Sequence, residues 1–313
     1  MRMSVVQSVC LSFIILCSSA SSEAAVKKNG FDLTDGLVPT REIRRGGPPR
    51  DGIPAIYLPK FVKASEQRDV AAEDTVLGIV VDGIAKAFPV DILIHHEVVN
   101  DWTQSKHLVV TYCPLCGSGM AFHAGTDGQA VFGVSGLLYN SDVLLYDYAT
   151  ESLWSQILGQ AVTGPKKAEQ LTAIPVIHGP WQSWLARYPD TWVMSRDTGY
   201  KSIRYGRMPE SYRGYERSRQ LFFPVAKKDK RFHPKSWVLG VELDGVSKAY
   251  PFAELEQTTG VVTDRLGNQT VTIRYADDVA WAEDAAGKVL PAIRLYWFAW
   301  FAFHPDTAVF EAP

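Results

Sequence analysis

One stretch of this chain is written twice. Residues 76–89 read Val-Leu-Gly-Ile-Val-Val-Asp-Gly-Ile-Ala-Lys-Ala-Phe-Pro. In the same pattern 162 positions later, residues 238–251 read Val-Leu-Gly-Val-Glu-Leu-Asp-Gly-Val-Ser-Lys-Ala-Tyr-Pro. Each copy predicts a strand, an Asp-Gly hairpin turn, a second strand and a helix begun by proline. After one inserted residue the match resumes, Val98-Val99-Asn100-Asp101 against Val261-Val262-Thr263-Asp264, and runs to Tyr112 against Tyr275. A fold for this chain must therefore hold the same supersecondary unit twice. The expectation is an α+β, predominantly β protein made of two related β-rich halves, about 53–175 and 176–313, sharing one core across a pseudo-two-fold. The helices are expected at 89–99 and 180–188. Residues 26–52, rich in Gly, Pro and charge, read as an extended arm leading into that single domain.

The repeat also separates scaffold from chemistry. What both copies keep, such as Gly78 and Gly240 or Pro89 and Pro251, serves turns and helix starts. What one copy alone carries is free to be a site. The first copy has His95-His96-Glu97 after its helix and Cys113-Pro114-Leu115-Cys116-Gly117 after its last matched strand. The second has Gln257-Thr258-Thr259 and Ala276-Asp277-Asp278 in the corresponding places. Their joint absence there assigns both features to one site.

The four cysteines divide into two pairs. Cys10 and Cys17 lie in residues 1–25, where Arg2, an apolar run through Leu16 and a small-residue ending at Ala24-Ala25 form the pattern of a secretory signal peptide. The mature chain is then expected in a periplasmic or extracellular compartment, with no further apolar run long enough to span a membrane. It retains only Cys113 and Cys116. With 32 basic against 34 acidic side chains and a net charge of -2, nothing in the chain suits a nucleic-acid backbone. A small molecule or another exported protein is the expected partner.

A disulfide across Cys-x-x-Cys closes too small a loop to staple a chain of this size. Cys-Pro-x-Cys-Gly instead has the form of a metal knuckle, with proline pre-setting the turn and glycine permitting a left-handed backbone after the second sulfur. A thioredoxin-like motif would open a helix here, which Gly117-Ser118-Gly119 opposes. One knuckle supplies two ligands, so a zinc or copper ion must recruit imidazole or carboxylate. His96 and His304 are the expected further ligands and Glu97 a proton shuttle. His95 and His123 are weaker candidates, and His107, His178 and His233 read as surface or turn residues. Ser135, Asn140 and Asp147 either satisfy the turns of a β-meander or form a polar pocket wall beside the knuckle.

Several blocks are similar to a known family: Asp51-Gly52-Ile53-Pro54-Ala55, His96-Glu97-x-x-Asn100-Asp101, Val110-Thr111-Tyr112-Cys113-Pro114-Leu115-Cys116-Gly117, Phe132-Gly133-Val134-Ser135-Gly136, Ser152-Leu153-Trp154-Ser155-Gln156 and Trp297-Phe298-Ala299-Trp300-x-x-Phe303-His304-Pro305. They resemble a bacterial family of domains of unknown function, number 3179, from about Gly46 to Thr307. Tyr57 departs from the acidic residue expected there. The resemblance implies one domain and no particular activity. Three readings of the knuckle follow: an exported metal-binding protein with enzymatic chemistry, a thiol–disulfide protein using Cys113 and Cys116, and a binding scaffold with a structural metal.

Overall fold

The computed structural model describes residues 26–103, 106–124, 130–206 and 208–313. The proposed signal peptide, with Cys10 and Cys17, lies outside them. The fold is predominantly β, with five sheets of four or five strands in a five-bladed, propeller-like arrangement. The described residues include four short α-helices, α1 (Val90–His96), α2 (Trp181–Arg187), α3 (Phe252–Leu255) and α4 (Trp297–Phe303). Among the described residues no helix is long and apolar enough to cross a membrane.

The repeated sequence folds in matching register. Strand Thr75–Val81 pairs with Ile84–Pro89 so that Val76 faces Pro89 and Val81 faces Ile84. Strand Trp237–Leu243 pairs with Val246–Pro251 so that Val238 faces Pro251 and Leu243 faces Val246. Asp82-Gly83 and Asp244-Gly245 turn the hairpins, all four residues at positive φ, as a two-residue type I′ turn requires. Each prolyl residue then stands at the helix N-cap, Pro89 before α1 and Pro251 before α3. An ion pair recurs as well: Lys86 Nζ lies 2.5 Å from Asp101 and Lys248 Nζ 2.6 Å from Asp264.

The likeness extends beyond the stretch visible in sequence. Ile177–Pro180 adds antiparallel to the first hairpin and leads into α2, after which Trp192–Met194 returns parallel to Ile84–Pro89. Ile293–Tyr296, α4 and Ala308–Val309 do the same for the second hairpin. On strand pairing the first copy thus runs on to Met194, past the division expected near residue 175.

In both copies a helix tryptophan lies flat against a strand glycine. A Cβ on Gly78 would stand 2.1 Å from the Trp184 ring, and one on Gly240 would stand 2.2 Å from Trp300. Each indole donates to a threonine seven residues on, Trp184 to Thr191 at 3.0 Å and Trp300 to Thr307 at 2.9 Å.

The copies differ by one whole sheet. After Ser118–His123 the first copy passes through strands Phe132–Tyr139, Asp142–Asp147, Leu153–Ser155 and Gln160–Ala161, which form a separate sheet, before rejoining at Ala173–Ile174. The second goes directly from Val279–Glu283 to Val289–Leu290. The expected arm belongs to the inserted sheet: Ile43–Arg45 is its edge strand, and Phe31, Leu33, Val38 and Ile43 pack on Leu137, Leu144 and Tyr146. Buried apolar side chains form five clusters, the largest drawing on both copies and the inserted sheet.

Two consequences can be measured. Gly240→Ala forces Trp300 out of its seat, and the overpacking should cost about 1–3 kcal/mol in urea unfolding. The second concerns His304, which stacks on Trp300 at 3.9 Å where Tyr188 stacks on Trp184 at 4.2 Å. Burial lowers the His304 pKa from 6.5 to about 4. The unfolded chain therefore takes up a proton first, and stability present above pH 6.5 is lost as pH falls toward 4. His304→Tyr, which copies the other half, should remove up to about 3 kcal/mol of that loss when unfolding is followed across this window.

Candidate metal centre

Cys113 ends strand His107–Cys113 and pairs with Ser118, so residues 114–117 form a four-residue hairpin loop. In the second copy the same hairpin closes through only Asp277-Asp278, both at positive φ, between the paired Ala276 and Val279. Two additional residues thus make the knuckle. Gly117 follows Cys116 at φ 63°, and a Cβ there would meet the Trp237 ring at 2.6 Å, so both backbone and space demand glycine.

The inserted sheet brings a third group to the sulfurs. Its first two strands turn through Asn140-Ser141, at φ 51° and 67°. This tight hairpin points the Ser141 carbonyl at both thiols, 3.8 Å from Cys113 Sγ and 3.4 Å from Cys116 Sγ. The next residue, Asp142, presents its carboxylate. The ligand atoms of Cys113, Cys116 and Asp142 all lie within 4.8 Å of one another, and all three residues are buried. Asp142 is further fixed by the Ile157 backbone N–H, which donates at 3.1 Å, and the Ser118 hydroxyl oxygen lies 3.4 Å from its carboxyl. Gln156 supports that hydroxyl, accepting from Ser118 at 2.7 Å and donating to Thr111 Oγ1 at 2.8 Å.

Burial dominates the electrostatics. It raises Asp142 to about 7 against the pull of its hydrogen bonds. It raises both thiols, Cys116 further than Cys113. The thiols are free in this structure, and neutral S–H groups suit the Ser141 carbonyl as weak donors.

Beside the cluster lies a cavity of about 680 Å³, lined by Leu115 from the knuckle, Val143 next to Asp142, and Tyr212, Phe223, His95 and Glu97. Glu97 is raised to about 8, chiefly by burial and then by Asp142. Its carboxyl has no hydrogen-bond partner among the described residues. Strand pairing brings it there, because the Glu97 carbonyl accepts from Tyr112 N–H at 2.9 Å, one residue before Cys113. The backbone pairing puts Glu97, at φ 58°, opposite Gly260, at φ 83°, and not opposite Thr259 as the sequence match has it, because the Gly260 carbonyl likewise accepts from Tyr275 N–H at 2.8 Å. The first copy therefore keeps a side chain in a left-handed conformation that its counterpart leaves to glycine.

The two expected histidine ligands stand apart from the three-group cluster. His96 Nδ1 contacts the Pro54 carbonyl at 2.6 Å and must donate, so Nε2 accepts from the Tyr205 hydroxyl at 2.6 Å. Both ring nitrogens are thereby occupied. His304 caps α4 and stacks on Trp300, filling the place of Tyr188. His178, expected near the surface, is buried with its ring edge-on to Tyr112 and Trp237.

The three expected pocket residues are engaged with the scaffold. Ser135 donates to the Leu144 carbonyl and accepts from Leu137 N–H at the bulge of its strand. Asn140 links the Ala302 carbonyl and the Ala226 N–H, and Asp147 holds Thr150 and the Trp154 indole. Asp142 carries no ligand signal in the sequence. It is 26 positions beyond Cys116, and only the hairpin geometry brings it close.

If Glu97 is held in its conformation for chemistry rather than packing, Glu97→Gly should stabilise the fold by about 1 kcal/mol in denaturant unfolding. A destabilised variant would assign the side chain a structural role.

No curated protein and no solved structure matches the chain. A family profile, described as a protein of unknown function (DUF3179), matches residues 50–289. With most of its length so matched, the chain belongs to the DUF3179 family.

Proposed function

We propose that Cys113, Cys116 and Asp142 bind a single zinc or copper ion, and that the adjoining cavity admits a small, largely apolar molecule to it. The observation that carries this reading is the convergence of three buried ligand atoms, within 4.8 Å of one another, from two separate hairpins. Three protein ligands are the number found at catalytic zinc sites, which leave a position open, whereas structural sites are closed by four. Thiolates with a carboxylate suit zinc better than copper, because the carboxylate is the harder donor. The ion would supply Lewis acidity, and Glu97, unpaired on the cavity wall, would exchange protons with the bound molecule.

Burial also argues against the thiol–disulfide reading. Exchange needs an accessible thiolate, and Cys113 and Cys116 are 1% and 0% exposed with raised pKa values. The signal-peptide pattern of residues 1–25 supports an exported, periplasmic or extracellular location.

Binding requires all three ligands to lose their protons, so affinity should fall as pH falls. Metal analysis by mass spectrometry, after loading with zinc or copper at neutral pH, should find about one ion per chain. A Cys113→Ser/Cys116→Ser variant should lose it, Asp142→Asn should bind at least about tenfold more weakly, and Glu97→Gln should retain it. Equally negligible metal in parent and variants would refute the site.

A further inference from the structure

Tyr215 is 4% exposed, yet its buried hydroxyl has no acceptor for its proton among the described residues. Buried phenols ordinarily find one. The residue opens a short 3₁₀ turn, Tyr215–Arg217, after Gly214 at φ 73°. Its ring is clamped, with Phe222 at 4.3 Å between centroids and the Lys235 ammonium 4.0 Å from the ring centroid. Lys235 is itself fixed by the carbonyls of Ser218 and Gln220. Clamped in this way, the hydroxyl cannot swing off to find another acceptor. Tyr215 packs in the same buried cluster as Cys113, Leu115 and Cys116.

We infer that the Tyr215 hydroxyl donates a hydrogen bond to the acceptor atom of whatever molecule occupies the open position of the metal centre. This rests on the metal site proposed above. It specifies the class of ligand: one that places an oxygen or nitrogen lone pair at the ion, as a carbonyl, a carboxylate or a small anion does. The same position filled only for packing would be better served by phenylalanine, which carries no unpaired hydroxyl.

The test uses the chain from residue 26 onward loaded with Co(II), whose visible absorption reports ligands at the ion, and azide as the acceptor probe. Tyr215→Phe should keep one Co(II) per chain and resist denaturant at least as well as the parent. It should bind azide about tenfold more weakly, the loss of one hydrogen bond to a charged acceptor. Unchanged azide affinity overturns the inference. So does a parent that binds Co(II) but no azide, because the site then has no open position. A destabilised or unfolded Tyr215→Phe also overturns it, since the hydroxyl would then have a structural partner. Failure of the parent to take up Co(II) through Cys113 and Cys116 refutes the metal site itself, and is read separately from the azide result.

Discussion

Burying two thiols beside a carboxylate is tolerable in only two states, and the architecture of this protein is arranged around that fact. With no cation present, all three groups are driven toward their neutral forms, and the burial that raises Cys113, Cys116 and Asp142 does this. With a cation, three negative charges surround two positive ones, and removal from water is offset by coordination. The fixed dipoles divide between the two states. Ser141 offers a carbonyl to neutral thiols, while the Ile157 N–H donates to the Asp142 carboxyl.

The repeated hairpin-and-helix unit supplies a frame on which such a site can be held. Each copy solves the same packing problem in the same way, with a tryptophan laid on a glycine and its indole tied to a threonine. The second copy closes its hairpin through Asp277-Asp278 and uses Asp278 to pair with Arg294. The first opens the equivalent hairpin by two residues and admits an extra sheet. The candidate centre lies where these two departures meet, one contributing sulfur and the other carboxylate. Neither departure alone provides three ligands.

This explains how much could be read from residues alone. Periodicity and turn chemistry act locally, so the hairpins, the proline-started helices and the glycine after Cys116 are legible. The contrast between copies also singles out Glu97 and the knuckle, and Glu97 and Leu115 line one cavity. The rest of the repeat escapes because its shared residues are few: Trp181 and Trp184 against Trp297 and Trp300, then Pro189-Asp190-Thr191 against Pro305-Asp306-Thr307. Once that alignment is made, His304 falls opposite Tyr188 and becomes a stacking residue. His96 misleads for another reason. Its distance from the knuckle along the chain says nothing about Pro54 and Tyr205, which take both its nitrogens. Asp142 reaches the sulfurs only through the pairing of a sheet that the second copy lacks, and no local pattern encodes that.

Two residues, one on the cavity wall and one in the buried cluster that holds the knuckle, carry a local cost. Glu97 occupies a left-handed conformation that its own counterpart, Gly260, meets without strain. Tyr215 keeps a buried hydroxyl with no acceptor for its proton among the described residues. Each exception costs stability, and a simpler residue would remove it, glycine in one case and phenylalanine in the other. Packing gives no reason to keep either. Their placement would supply one, with Glu97 on the cavity wall and Tyr215 in the buried cluster that also holds Cys113 and Cys116. A bound molecule there would give both groups the partner that the protein withholds.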